Sequence, residues 1–447
     1  MSSDRRDFIK KVTAGAAGIA AGGSAMGMSP GSYRRIIGAN DRINIGIIGL
    51  GRRLGAYIEP IADKKNNVEL RYLCDVMKSQ REQAAAVFSE HIKYKPRLEN
   101  DLRKVIADPE VDLFINATPD HWHTPGAIMA LAGGKHVYLE KPGTHNMQEN
   151  EWIVAAQKKV GKAVQMGVQQ RSSGHTIEII NEIHGGVIGT PYKAVAFYTN
   201  SRGEVPVQKS VPVRDGLDWE LFQGPAPRRA YTSETWDYNW HWYGWDYGTA
   251  ESGNNGTHEF DVARWALQVD YPIRVDVEAD KRQFVNDGWE MYDDMEVTFR
   301  FAGNKVIEWD GKSRIGYATY GHDRGTIIYG SEGTVFVDRE GYTLYDRSGK
   351  VIKTNASASS ESGTALGGGG DMSTAHVVNL FDTIRGKGTL NAPISDGVIT
   401  MAMVHYSNIA YRIGKGFDID DSTGRMFDRD AMKFWGRDYE PGWEPKI

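Results

Sequence analysis

The sequence predicts an α/β fold: a doubly wound parallel sheet, then a second α/β region on a mainly antiparallel sheet. Three observations carry this. Short apolar runs alternate with helical segments as far as about residue 165. Beyond that point, strand-like runs are separated by turn signals instead of helices. At 447 residues the chain exceeds one ordinary core, so two domains are expected.

Ile43 to Ile48 is an apolar run ending in Gly49-Leu50-Gly51, and the segment Leu54 to Asp63 after it is helical in composition. Val68 to Leu73 is a second strand, ending at Cys74-Asp75. Ser79 to Ser89 and Asp101 to Ile106 read as helices, the latter closed by Asp108-Pro109. Val111 to Ala117 is a buried-type strand ending at Thr118-Pro119; Thr124 to Gly133 is helical; His136 to Leu139 is the next strand. It leads into Glu140-Lys141-Pro142-Gly143, a loop before a helix, where proline restricts the lysine backbone.

Farther on, Tyr192 to Thr199, Val275 to Ala279, Asp294 to Phe301, Lys305 to Asp310, Thr326 to Tyr329, Thr334 to Val337 and Tyr342 to Tyr345 are strand-like. Gly303-Asn304 and Ser348-Gly349 are turn signals among them. Gly253 to Leu267 is helical at its end, and Ala375 to Arg385 and Ser395 to Arg412 are helical. Residues 355–370 are Ser/Gly-rich and expected to form a mobile loop.

Composition excludes several classes. The chain is 40% apolar and 25% charged with a formal charge of -5 and no long basic run, so nucleic acid is not an expected partner. Cys74 is the only cysteine, which rules out an intramolecular disulfide and a cysteine-based metal site. His121, His123, His136 and His145 are scattered without an acid in ligand spacing, so no metal is expected. Arg5-Arg6-Asp7-Phe8-Ile9-Lys10, followed by a short Gly/Ala-rich run to Met28, resembles a twin-arginine export leader and is too weak for a membrane span. The expected organisation is a leader over 1–28, a linker over 29–41, domains over 42–165 and 166–425, and a tail over 426–447. Export of that kind implies a periplasmic protein.

Gly49-Leu50-Gly51 between a strand and a helix is half of a dinucleotide-binding fingerprint, although Leu54 stands at the third glycine position and Gly55 comes one residue late. Asp75, at the end of the second strand, stands where an acid binds ribose hydroxyls and disfavours a 2′-phosphate, so NAD is expected over NADP. It also suits a helix N-cap.

Gly49-Leu50-Gly51, Cys74-Asp75, the stretch Asn116 to His123 and Glu140-Lys141-Pro142 together resemble, in order and spacing, the Gfo/Idh/MocA family of sugar and cyclitol oxidoreductases. The resemblance implies a Rossmann domain followed by an α/β domain on a large open sheet that mediates homodimers or homotetramers. It implies a bound nicotinamide cofactor, with Gly49, Gly51, Arg52, Arg53, Asp75, Thr118, Pro119, His123, Glu140 and Lys141 around it, and Lys141 facing the reacting carbon. His258 matches a family histidine, while the acid expected four residues earlier is Asn254. On an α-helix these two share a face. Arg171, His241, Tyr243, Asn254 and Asp261 complete the expected substrate set. The aromatic segment Trp236 to Tyr247 suits either a sugar-facing wall or packed core.

The expected reaction is hydride transfer from a sugar or glycoside hydroxyl carbon, forming for example a 3-keto-sugar. His258 is expected to be the base, because an unperturbed imidazole titrates near neutrality, and Lys141 to stabilise charge on oxygen. An exported enzyme meets no pool of free NAD, so the cofactor is expected to stay bound. Two alternatives stand beside this reading. One is an NAD-dependent glycosidase working by oxidation, elimination, addition and reduction. The other is a non-catalytic sugar-binding protein, which Asn254 and the late Gly55 would suit.

Overall fold

The computed structural model describes residues 41–232, 236–356 and 371–447. The expected leader, the linker except Asp41, and all but the first two residues of the 355–370 stretch lie outside the described residues.

Six parallel strands form the first sheet: β1 (Ile43–Ile48), β2 (Val68–Cys74), β3 (Arg97–Glu99), β4 (Leu113–Asn116), β5 (His136–Leu139) and β6 (Val164–Met166). Their order is β3-β2-β1-β4-β5-β6, so the chain reverses direction across the sheet between β1 and β4. The strands read as continuous apolar runs because helices cover both faces; Ile45, Ile47, Leu113, Phe114 and Ile115 are all fully buried. The covering helices are α1 (Gly55–Ala62), α2 (Lys78–Ser89), α3 (Leu102–Ala107), α4 (Asp120–Ala132) and α5 (Met147–Val160). Asn146 caps α5 by accepting from the Glu149 N–H, and Gly161 at φ +71° ends it.

The helix expected to begin at Thr124 begins at Asp120 instead. Pro125 looks like a first-turn proline, but it sits inside the helix, where it offers no N–H to the His121 carbonyl. That carbonyl accepts from Arg437 Nη2 at 2.7 Å. The same guanidinium pairs with buried Glu149 on α5 at 3.0 Å, so residues beyond 425 are pinned onto the helices of the parallel sheet. Trp443 packs edge-on against Trp122 nearby.

The second half contributes α6 (Gly174–His184), β7 (Pro191–Ser201), α7 (Thr257–Leu267), β8 (Arg274–Asp280), β9 (Asp294–Arg300), β10 (Val306–Lys312), β11 (Arg314–Ile315), β12 (Arg324–Gly330), β13 (Gly333–Val337), β14 (Gly341–Asp346), β15 (Val351–Ala356), α8 (Asp371–Ile384), α9 (Ile394–Ile413) and β16 (Phe417–Asp418). The large sheet runs β15-β14-β13-β12-β7-β10-β9-β8-β16, with β11 paired to the end of β7. Only the β7 and β10 pair is parallel, which makes the sheet mainly antiparallel as expected. Helix α7 lies across one face, burying Phe260 against Phe299 and Trp309. A long excursion between β7 and α7, residues 202–251, returns to the parallel sheet. Met77 bridges Leu217 there, with Lys78 N–H donating to the Gly216 carbonyl at 2.8 Å and Asp218 N–H to Val76 at 3.0 Å. Among the described residues, no helix is long and apolar enough to cross a membrane.

Candidate active site

The exits of β1, β2, β4 and β5 open onto a cavity of about 770 Å³, the place where open parallel sheets hold ligands. Gly49 ends β1 at φ +86°, and a Cβ there would lie 2.3 Å from the Ala117 carbonyl oxygen. Only glycine meets both demands. Leu50 N–H donates to Asp75 Oδ2 at 2.7 Å, and Met77 N–H donates to Oδ1 at 2.8 Å. Asp75 therefore ties the glycine loop to the exit of β2 and does not cap α2, whose N-cap position is Met77. Burial raises the Asp75 carboxyl, and the two N–H donors oppose that rise.

Among the described residues nothing lies within 4 Å of where a Gly51 Cβ would stand, so this backbone faces the cavity. The chain then makes a 3-10 turn, Arg52–Leu54, before α1 starts at Gly55. That extra turn is why the last glycine of the fingerprint comes late. First-turn N–H groups have no intrahelical partner and, with the helix dipole, favour a pyrophosphate. Arg52 stacks over the Tyr238 ring at 4.2 Å, and Arg53 pairs with Glu140 at 2.7 Å. Thr118, whose hydroxyl donates to Asn116 Oδ1 at 2.6 Å, and Pro119 line the wall beside them. His123 Nδ1 lies 2.6 Å from the Pro142 carbonyl, so it carries the proton; among the described residues its buried Nε2 has no hydrogen-bond partner. Burial pushes this imidazole down to about 4, which keeps it neutral. A bare glycine backbone, an acid at the β2 exit and a buried neutral acceptor together fit a nicotinamide dinucleotide.

Glu140 receives Arg53 Nε, the Tyr57 hydroxyl at 2.9 Å and Gln169. Burial works against its charge, yet Arg53 holds the carboxyl below its ordinary value. The next peptide, Lys141-Pro142, is cis. Lys141 Nζ donates to the Asn254 carbonyl at 2.5 Å and to Asn254 Oδ1 at 3.1 Å. That carbonyl sits within a π-helical turn, Ser252–Gly256, just before α7. The sequence predicts Asn254 and His258 on one α-helical face. The structure instead widens the turn, leaves the Asn254 carbonyl to the lysine, and still sets both residues on the cavity wall.

Asp120, at the start of α4, is buried and accepts from the Thr249 hydroxyl at 2.6 Å. Burial lifts its carboxyl to about 7, against the pull of Lys141. Burial also lowers the Lys141 ammonium to about 8, and Asp120 is the largest opposing influence. His258 is lowered well below its ordinary value by burial, then by the cations Arg339 and Lys141. The premise that His258 titrates near neutrality is thereby corrected: the groups closest to neutrality are Lys141 and Asp120.

Three expected substrate residues are not on this cavity. Arg171 and Asp261 form a buried pair at 2.7 Å; Arg171 also meets Asp396 and Asp261 accepts from Thr400, so both side chains serve packing between α7 and α9. Tyr243 is fully buried in the core. The aromatic segment divides: Trp242 stacks on Trp289 at 4.4 Å inside, whereas Tyr238, Trp240 and His241 line the cavity. The Trp236 side chain lies outside the described residues. Asp120 was absent from the expected set, although it directly follows the Thr118-Pro119 strand exit, which was the available signal. Arg339, on the turn between β13 and β14, also lines the cavity and carries no comparable signal. Among the described residues no His/Cys/Asp/Glu cluster is placed to hold a metal ion.

The fold and the cavity define an NAD-binding oxidoreductase scaffold. The chain belongs to the Gfo/Idh/MocA oxidoreductase family: residues 43–168 match its NAD-binding Rossmann fold and residues 188–435 its C-terminal alpha/beta domain. It is 26% identical over 209 residues to an alpha-N-acetylgalactosaminidase of Shewanella oneidensis, a match covering 43% of this chain and 45% of the relative. The chain spans about half the length of the curated relatives it matches. Among solved structures it is similar to a levoglucosan dehydrogenase in complex with NADH and levoglucosan (TM-score 0.64, 17% identity, covering 84% of this chain and 99% of that one). It is similar too to an aldose-aldose oxidoreductase from Caulobacter crescentus (TM-score 0.62, 18% identity, covering 85% and 100%).

Proposed function

We propose that this protein oxidises a hydroxyl-bearing carbon of a sugar or glycoside, using a nicotinamide cofactor that stays bound. The observation that carries this reading is half-buried Lys141 and buried Asp120 sharing with His258 a cavity walled by Tyr238, Trp240 and His241. Flat aromatic rings suit sugar faces. When bound, the nicotinamide supplies the hydride acceptor. The chain's own groups manage the proton. Lys141, lowered toward neutrality, takes the hydroxyl proton as a neutral amine. Asn254 fixes its nitrogen by two hydrogen bonds. His258, kept neutral by burial and neighbouring cations, offers its imidazole to the substrate without competing for that proton.

The test is substrate-dependent reduction of nucleotide co-purifying with the protein, compared with Lys141→Ala. The variant is expected to keep its nucleotide and lose hydride transfer by about 10²- to 10⁴-fold. Normal turnover by that variant would defeat the mechanism.

The glycosidase relative supports a second reading, in which oxidation is one step of a redox-neutral glycoside cleavage. Release of aglycone from an aryl glycoside with no net reduced nucleotide or acceptor would favour it. The twin-arginine-like segment supports a periplasmic location, to be read from fractionation of cells carrying Arg5 and Arg6 replaced by lysine. The open sheet supports a homodimer or homotetramer, to be read by light scattering.

A further inference from the structure

Arg52, Arg53, Lys141, Arg202, Arg324 and Arg339 line the cavity around Lys141 and Tyr238, and three of these six are held in ion pairs of their own. Arg53 pairs with Glu140, Arg202 with Glu251, and Arg324 with Glu259 through two nitrogens at 2.5 and 3.0 Å. Lys141 is balanced by buried Asp120. Arg52 is stacked on Tyr238, whereas among the described residues no hydrogen bond, ion pair or ring contact holds the Arg339 guanidinium. Asp323 reaches the same wall but is exposed and forms no ion pair with it.

The turn that carries Arg339 is rigidly built. Asp338 Oδ1 accepts from the N–H groups of Glu340 and Gly341 at 2.8 and 3.0 Å. The Asp338 carbonyl accepts from Gln170 and lies 3.0 Å from His175 Nε2. The other carboxylate oxygen of Asp338 lies 3.1 Å from His322 Nδ1. A half-buried arginine is therefore held on a fixed hairpin beside His258, facing a cavity, and the acid that acts on it, Glu259, is already ion-paired with Arg324. Burial and the neighbouring Arg324 lower it to about 9 against the pull of Glu259, a cost that a bound anion would reduce.

We propose that Arg339 is a specificity residue for an acidic sugar, binding the carboxylate of a uronic-acid-type substrate. The inference rests on the sugar-oxidoreductase reading above and adds the substrate class. A carboxylate fits better than a phosphate for two reasons. One guanidinium without an ion-pair partner of its own matches one negative charge, and its planar fork donates two parallel hydrogen bonds to a carboxylate.

The experiment compares methyl β-D-glucuronide, methyl β-D-glucoside and glucose 6-phosphate as ligands and as substrates of the purified full chain with its nucleotide. Binding is read by tryptophan fluorescence and calorimetry, independently of turnover. Wild type is expected to bind the glucuronide at least about 10-fold more tightly than the glucoside, and Arg339→Gln to lose about 10- to 100-fold on the glucuronide with a smaller loss on the glucoside. Arg339→Lys, which keeps charge without the fork, should recover part of the loss. Equal binding of glucuronide and glucoside, preference for the phosphate, or a preference that survives in Arg339→Gln overturns the proposal. So does loss of nucleotide from that variant, which would make Arg339 a cofactor residue. Glucuronide preference without any hydride transfer would count against the oxidoreductase reading alone.

Discussion

At the scale of single residues, the site turns on how burial moves two opposite charges toward each other. Asp120 is pushed up to about 7 and Lys141 down to about 8 by loss of water, and each restrains the other's shift. With Lys141 accepting the substrate proton, the reactive form is the neutral amine, so kcat/KM rises with pH through about 8. The negative charge of Asp120 favours the ammonium. Asp120→Asn removes it, the Lys141 pKa falls, and the rising limb moves to lower pH. A pH profile of kcat/KM for wild type and Asp120→Asn checks the sign, and an unmoved or alkaline-shifted limb refutes the coupling. The position of several of these groups on the cavity was legible locally, their roles less so. The glycine loop, Asp75, Lys141 and His258 announce themselves because each sits at a strand exit or helix start with a recognisable neighbourhood. Arg171, Asp261 and Tyr243 were misplaced because proximity in sequence to a candidate strand or histidine says nothing about which partner consumes a side chain. Arg171 spends its charge on Asp261 and Asp396, which lies on a helix far along the chain.

At the scale of elements, local grammar fails where a distant group changes what a segment can tolerate. Pro125 reads as a helix start, yet α4 runs through it because Arg437 takes over the carbonyl that proline leaves unpaired. Arg437 also meets Glu149, which is fully buried and receives the Tyr439 hydroxyl at 2.8 Å. Arg437→Ala would strand that carboxylate, and breaking a buried pair in this way costs about 3–5 kcal/mol. Chemical denaturation should show a fall of that order with Arg437→Ala. A loss below about 1 kcal/mol would mean that water replaces the guanidinium. Strand β15 went unread for the opposite reason: it is an edge strand with Val351 and Ile352 exposed, so it lacks the buried alternation by which β8 to β10 are visible. The π-turn at Ser252–Gly256 was likewise hidden. Its Gly-Asn-Asn-Gly run has no periodicity, and the turn is defined by the lysine that hydrogen-bonds into it.

At the scale of the whole molecule, the excursion between β7 and α7 builds one side of the cavity. Its residues Arg214, Leu217, Trp219, Leu221, Phe222 and Tyr231 form part of the cavity wall on the side of Asp75 and Met77. Backbone hydrogen bonds at Gly216 and Asp218 fasten it to the loop after β2, and Trp122 Nε1 donates to the Leu221 carbonyl at 2.9 Å. At the other end, Arg52 stacks on Tyr238 across the glycine loop. These two fastenings hold the excursion against the cavity wall, and the expectation that follows is a cofactor retained until one of them opens. Gly216 is the point at which to loosen the arrangement: it stands at φ +79°, and a Cβ would lie 3.2 Å from Lys78 Cβ. A β-branched residue is strained there by about 1–3 kcal/mol, and the strain is relieved by letting go of the β2 loop. Gly216→Val is therefore expected to release nucleotide at least about 10-fold faster, since 1.4 kcal/mol of lost closure is tenfold in the opening equilibrium. Wild type should carry its nucleotide through gel filtration and yield it only on denaturation. The variant should emerge depleted and regain hydride transfer when NAD is added. Equal retention in both would place the barrier to release at the Arg52 and Tyr238 end, and Tyr238→Ala would then be the variant that frees the cofactor.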